Sequence, residues 1–376
     1  MARRRESDHV DHVERLLDQA NDLPHGPTRI ELCEEAVRVA DSHGDTTLAF
    51  RARDELTTAA SMGERPDLMI VSFSWCLSMF DRKEDTGISA FQLLWKMKWV
   101  AAAIPRFPEI ELATIHKMLD DMERRFREHS GSIQPVVHKR RSVALMTGHD
   151  DEARRAHKQF MRLPRSFLSD CQACELGSLA GYWMDMGRRT LGIRKGEELI
   201  ASGRTCATVP DSTYADLLLP MLHVGRGKEA MVYHHRGYER SRRSAIPLDM
   251  CHWGDHIAFL ALTGNDARAI KLLETHMPLA EAGHDPLSTL SFLRNMLVTV
   301  DCLGERKAKI KMRLPAESPL ANSKGEYDLA EMAKTLTARV LQSSRRFDER
   351  NGNDNYCRAV DRAMKLKKKA MRVPLR

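Results

Sequence analysis

The sequence predicts an all-α fold, a right-handed superhelical solenoid of antiparallel helix pairs, and two observations carry that expectation. The 376 residues are rich in Leu, Ala, Met, Arg and Glu, all strong helix formers, while aromatic residues make up only 6% and strictly alternating apolar runs are scarce. Five glycines, Gly148, Gly187, Gly225, Gly264 and Gly304, follow one another at steps of 39, 38, 39 and 40 residues. Each closes a stretch of about sixteen residues with helical apolar spacing. Glycine belongs just past a helix C-terminus because it takes the left-handed conformation without a Cβ penalty. Self-similarity at such a period marks stacked helix pairs.

Aligned on the glycine, the stretches share columns. Eleven residues before it stand Val137, Leu176, Tyr214, Trp253 and Leu293; four before it stand Ala144, Trp183, Met221, Leu260 and Val300. The two columns are seven residues apart, hence on one helix face, and Leu179, Leu217, Ile257 and Leu297 join them. Nine before the glycine the column is polar throughout: Lys139, Ser178, Asp216, Asp255 and Asn295. Five after it come Ala153, Gly192, Ala230 and Ala269, small enough to let a second helix pack closely on the first. A turn glycine, a small residue five later and a large apolar residue in the first helix resemble the tetratricopeptide repeat, best in residues 147–153, 224–230 and 263–269. The resemblance covers roughly residues 132–304, with a period of 38–40 against the usual ~34 and without the family's small residue in the first helix. It implies stacked hairpins with a concave surface for a partner.

The other elements follow in chain order. Helices are predicted at about 9–21, 26–42, 45–62, 65–81, 87–104 and 108–129, so residues 1–130 read as less regular units of the same array. Gly63, Pro105 and Gly148 are spaced by 42 and 43 residues, as if the pair recurred with longer loops. Pro105 and Pro108 break the chain between Trp99 and Ile110. Residues 131–304 hold the regular repeats. Residues 305–325, with Pro315, Pro319, Gly325 and many charges, predict a flexible connection. Residues 326–376 predict two capping helices, near 327–346 and 354–370, with a basic tail as the polar cover that an array's end requires.

Composition narrows the function classes. With 42% hydrophobic and 30% charged residues the chain can bury a sizeable core, and no run of apolar residues is long enough to span a bilayer. After Met1-Ala-Arg-Arg-Arg-Glu come His9, Asp11, Glu14 and Arg15 where a signal peptide would be apolar, so secretion is not expected. The eight cysteines, Cys33, Cys76, Cys171, Cys174, Cys206, Cys251, Cys302 and Cys357, fall mostly on apolar helix faces, which fits a reduced, cytoplasmic setting. The net charge of +7 is modest for this length, although basic residues cluster at 139–141, 188–189, 240–243, 307–313 and 365–372. Each cluster reads first as a solvated helix face.

Several constellations invite chemistry without completing it. Cys171-Gln-Ala-Cys174 is half a zinc site, and its missing half would have to come from Cys251, His252 and His256, two repeats away. His252 and His256 have the spacing of a zinc-protease helix, but Trp253 stands where the general base belongs. Tyr233, His234 and His235 with Arg236, Arg240, Arg242 and Arg243 have a nucleic-acid flavour, though no RNA module surrounds them. Trp75, Trp95, Trp99, Trp183 and Trp253 read as core, and Gly187, Gly192 and Gly196 lack the strand that a dinucleotide loop needs. A catalytic site would require His252, His256, Asp255, Asp216 and Tyr214 to converge.

The expectation is therefore a non-enzymatic interaction or adaptor protein, without cofactor or metal, that holds a protein or peptide partner on its concave face. The ligand face would be the polar column, Lys139, Ser178, Asp216, Asp255 and Asn295, joined by Asp185 and His223. The alternative is a basic α-solenoid that binds nucleic acid. No membrane association is expected.

Overall fold

A computed structural model describes residues 2–83, 87, 89–129, 131–316, 318 and 320–375, with side chains from residue 8 onward. Met1 and Pro319, both used in the sequence reading, lie outside the described residues. Among the described residues there are seventeen α-helices and a single two-stranded ladder, so the protein is all-α. Two compact units divide the chain: Met1–Val143 with Asp151–Ser169 and Ala245–Pro247, and Ala144–Asp150 with Asp170–Ser244 and Leu248–Arg376.

The first unit opens with α1 (Ala2–Asn21), α2 (Pro27–Ser42), α3 (Thr46–Met62), α4 (Pro66–Asp81), α5 (Ala90–Ala103) and α6 (Leu112–His129), each packed on its sequence neighbour. Local chemistry sets the starts. Asp45 caps α3 by accepting the Leu48 N–H at 2.9 Å, and Ser89 with Gln92 forms a capping box on α5. Val13, Leu17, Ile30, Cys33, Leu48 and Leu56 form a buried seam along α1 to α3. Pro105 ends α5 as expected, within a short 3-10 turn, Ile104–Arg106. The register drawn through Gly63 needs correcting, because Gly63 has φ −105° and the left-handed residue is Glu64, at φ 62°. Gly63 is small for another reason: a Cβ there would lie 2.8 Å from Ile30 Cδ1 and 2.9 Å from the Ala59 oxygen. Two further helices follow, α7 (Gln134–Met146) and α8 (Asp150–Phe160).

The second unit holds the regular pairs: α9 (Gln172–Asp185) with α10 (Arg189–Ala201), α11 (Asp211–His223) with α12 (Gly227–Arg243), and α13 (Met250–Leu262) with α14 (Asp266–Glu281). Then come α15 (Pro286–Gly304), α16 (Leu329–Asn351) and α17 (Asn355–Met364). The first helices α9, α11, α13 and α15 pack side by side, each against the next. One turn recurs between helices. Gly148, Gly187, Gly225 and Gly264 have φ of 75°, 75°, 83° and 76°. In each case the glycine N–H bonds the carbonyl three residues back, and the following N–H bonds the carbonyl five back (His149 to Ala144 at 2.8 Å, Arg188 to Trp183 at 2.8 Å, Arg226 to Met221 at 2.8 Å, Asn265 to Leu260 at 2.9 Å). The apolar column four before the glycine is thus also the column of carbonyls that close the helix. Gly304 departs from the set: it is the last helical residue of α15, and Glu305 follows as the cap.

The small column behaves as its spacing predicts. Ala153, Ala230 and Ala269 are fully buried, and a Cβ on Gly192 would lie 2.4 Å from Met184 Cγ. Trp253 is buried and the other four tryptophans are half-buried. Within 305–325, where a flexible connection is predicted, β1 (Lys309–Lys311) pairs antiparallel with β2 (Glu326–Asp328). Beyond α17 the chain forms a 3-10 turn, Lys365–Lys369, and then an extended strap. The Met371 N–H bonds the Leu262 oxygen at 3.0 Å and the Val373 N–H bonds the Thr263 oxygen at 3.1 Å.

Candidate functional site

The side-by-side first helices of the second unit bring the polar column together. Asp216 on α11, His252 and Asp255 on α13, and Arg294 and Asn295 on α15 form a continuous polar face, and Asp185 at the end of α9 joins it. His252 Nε2 lies 3.3 Å from Asp216 Oδ1, and Asn295 Nδ2 donates to Asp255 Oδ1 at 2.8 Å. Gly254 permits the second contact: a Cβ there would lie 3.1 Å from Asn295 Nδ2 and 3.3 Å from Phe292 Cα. Cys251 Sγ lies 3.7 Å from His252 Nδ1 on the other side of the ring.

Negative charge is crowded here. Asp185 reaches water but stands deep among surrounding protein, which, with Asp216 and Asp150, raises its carboxyl to about 7. Burial and then Asp216 raise Asp255 to about 7 as well, against the pull of His252 and the Asn295 amide. Burial opposes the charge on His252, yet the Asp216 carboxylate 3.3 Å away holds it above the ordinary imidazole range. Burial lowers Arg294, partly offset by Asp255.

Of the residues singled out from sequence, Asp185, Asp216, Asp255 and Asn295 meet on this face. Ser178 is half-buried on α9. Lys139 belongs to the first unit. His223, at the C-terminal end of α11, has its imidazole lowered by burial and by the cations Arg189 and Lys369. Arg294 and Cys251, which stand outside the polar column, also border this face. His252 stands three residues before Asp255, one turn away on the same helix side, which was a usable signal.

The convergence a catalyst would need is partial. Tyr214 is turned into the packing with α12, where a Cβ on Gly237 would approach its Cβ to 2.5 Å. His256 is fully buried, its Nδ1 2.9 Å from His234 Nδ1. His234 is therefore a core residue, which corrects its place in a solvated basic patch. Part of the clustered positive charge is paired locally: Arg140 with Asp120 and Glu123, Arg240 with Asp211, Arg242 and Arg243 with Glu239, and Lys367 with Asp301 and Glu305.

A second gathering of donor atoms lies at the other end of α9, about 20 Å along the helix from Asp185. There Cys171, Cys174 and Cys206 bring their sulfurs within 4.8 Å of one another. Cys251, His252 and His256, the partners considered from sequence, take no part in it.

No protein-family model matches the chain, and no curated protein matches it. What the chain does must be read from its own geometry. Among the described residues no helix is long and apolar enough to cross a membrane.

Proposed function

We propose that this chain is a non-enzymatic interaction protein of tetratricopeptide-like build, and that the polar face on α9, α11, α13 and α15 holds a cation-bearing peptide segment of a protein partner. The carrying observation is the crowding of Asp185, Asp216 and Asp255, from three successive first helices, with two of the three carboxyls raised to about 7. Carboxyls that stay raised despite Arg294 beside them would be held ionised by a further, incoming cation. The repeated glycine turns and the buried alanine column support the tetratricopeptide-like kinship. The eight free thiols suit a reducing, cytoplasmic setting.

Cys251, His252 and Asp216 stand in the order of a nucleophile, base and acid, but their states oppose that use. Burial, with Asp249, pushes the Cys251 thiol up to about 11, and His252 is held as the cation, unable to accept a proton. A face lined by Asp185, Asp216 and Asp255 suits a cation better than a phosphate backbone.

Binding of lysine- and arginine-bearing peptides, against acidic counterparts of the same length, tests the proposal by fluorescence anisotropy. The basic set should bind. The double variant Asp216→Asn, Asp255→Asn should weaken binding about tenfold, the worth of one charge-assisted hydrogen bond. Affinity should also fall from pH 8 to pH 6 as Asp185 and Asp255 take up protons near 7. Equal binding by the double variant, or preference for the acidic set, rejects this face as the partner site.

A further inference from the structure

We propose that Cys171, Cys174 and Cys206 form a zinc site, three thiolates on one ion, with the fourth position left to a water or an incoming donor. It is independent of the partner-binding face. The three sulfurs already lie within 4.8 Å of one another. A tetrahedral ion with Zn–S bonds of ~2.3 Å places its sulfurs about 3.8 Å apart, so modest side-chain rotation suffices.

The backbone is arranged to present them. Cys171 is the N-cap of α9 and accepts the Cys174 N–H at 3.4 Å, with the Ala173 N–H beside it. Amide donors on the first sulfur of a Cys-x-x-Cys turn favour its thiolate, and the positive end of α9 adds to the effect. Burial works against a Cys171 anion, but these donors and the Cys206 thiol outweigh it and lower its pKa. The third sulfur comes from a tight turn after α10, closed by the Cys206 N–H on the Val209 oxygen at 2.9 Å and the return bond from the Val209 N–H. Arg204 fastens that turn to the first residue of α9, its Nε donating to Gln172 Oε1 at 2.9 Å.

Burial raises Cys174 and Cys206, and the neighbouring thiols add to this for Cys174. The neighbouring thiols favour one thiolate, at Cys171, whereas a dication lets all three ionise together. Asp170, whose charge also raises Cys206, deepens the negative field. A disulfide would use two sulfurs and leave the third idle. Bound zinc would tie the loop before α9 to the turn after α10, cross-linking both ends of a helix pair.

The full-length chain, purified under reductant and stripped with chelator, is titrated anaerobically with Co²⁺ alone and then with Zn²⁺. The expected results are a near-ultraviolet sulfur-to-cobalt charge-transfer band, its loss as zinc displaces cobalt, and one zinc per chain by elemental analysis. Loss of an outer-shell partner typically costs 10–100-fold in metal affinity, so loss of a ligand itself in Cys206→Ser should weaken zinc at least about 100-fold. Cys357→Ser, remote in sequence from the site, should bind as the native chain does. Absence of the band in the reduced native chain, or an undiminished band and zinc affinity in Cys206→Ser, overturns the site. Because the first measurement uses the native chain, misfolding of a variant cannot rescue the proposal.

Discussion

Three imidazoles of the second unit occupy places where a proton is costly. His234 and His256 face each other in the core, and His276 stacks on Trp253 with ring centroids 4.4 Å apart. Burial, then His235 and Arg268, lowers His234 to about 3; burial lowers His276 to about 4 and keeps His256 well below the usual range. The unfolded chain binds protons on all three below the ordinary value of 6.5, and the folded chain does not. Their contribution is thus complete above 6.5 and is lost as pH falls toward 4. Asp185 and Asp255 act in the opposite sense, since the folded state holds their protons below about 7. His157, lowered to about 4 by burial and then Arg141, adds to the imidazole side, so stability should fall as pH drops from roughly 6.5 toward 5. Urea midpoints at pH 7.5 and pH 5 measure it, and His276→Phe should flatten the slope; a midpoint that rises on acidification contradicts this account. At this scale the sequence was half legible. The polar column put Asp216, Asp255 and Asn295 on one face because equivalent positions of successive first helices recur with the repeat. Cys206 was invisible as a partner of Cys171 because a turn 32 residues after Cys174 delivers it, and no period encodes that turn. His234 was misread for a similar reason: its basic neighbours in sequence lie on other sides of α12.

Among elements, the glycine turns and the close helix contacts demand glycine for different reasons, and two substitutions separate them. Gly225 has φ 83° with nothing within 4 Å of a notional Cβ, so Gly225→Ala should cost only the left-handed penalty, about 1 kcal/mol. Gly192 sits in the body of α10, but a Cβ would lie 2.4 Å from Met184 Cγ and 2.9 Å from the Ala180 oxygen. A backbone oxygen cannot swing aside, so Gly192→Ala should cost about 1–3 kcal/mol. Denaturation midpoints of the two variants give the ranking, and Gly225→Ala as the more damaging change would refute it. Glycine spacing read the regular turns well because each needs a residue that tolerates positive φ. It failed where the rule is not obligatory. Glu64 takes the left-handed place beside Gly63, and Gly304 ends a helix in ordinary conformation. Gly44 and Gly352 make the same left-handed turn, at φ 68° and 67°, but lie outside the even spacing and so escaped notice.

For the molecule as a whole, apolar spacing and helix formers were enough to predict the all-α architecture and the pairing of sequence neighbours. Helix-forming residues and short loops leave adjacent segments little choice but to pack on each other. The division into two units was not readable. Both are built from the same helical pattern, and short segments such as Ala245–Pro247 belong with residues far away in sequence.

The recurring turn also makes the chain separable at its joints. Gly187 and Gly225 present the same backbone angles and the same pair of hydrogen bonds, so a splice that removes residues 188–225 would join Gly187 to Arg226 through the linkage each already has. Such a shortened chain would lose Asp216 and Cys206 together. If it still unfolds cooperatively as a helical protein, scaffold and chemistry are different layers of this sequence, carried by residues that can be exchanged without disturbing one another.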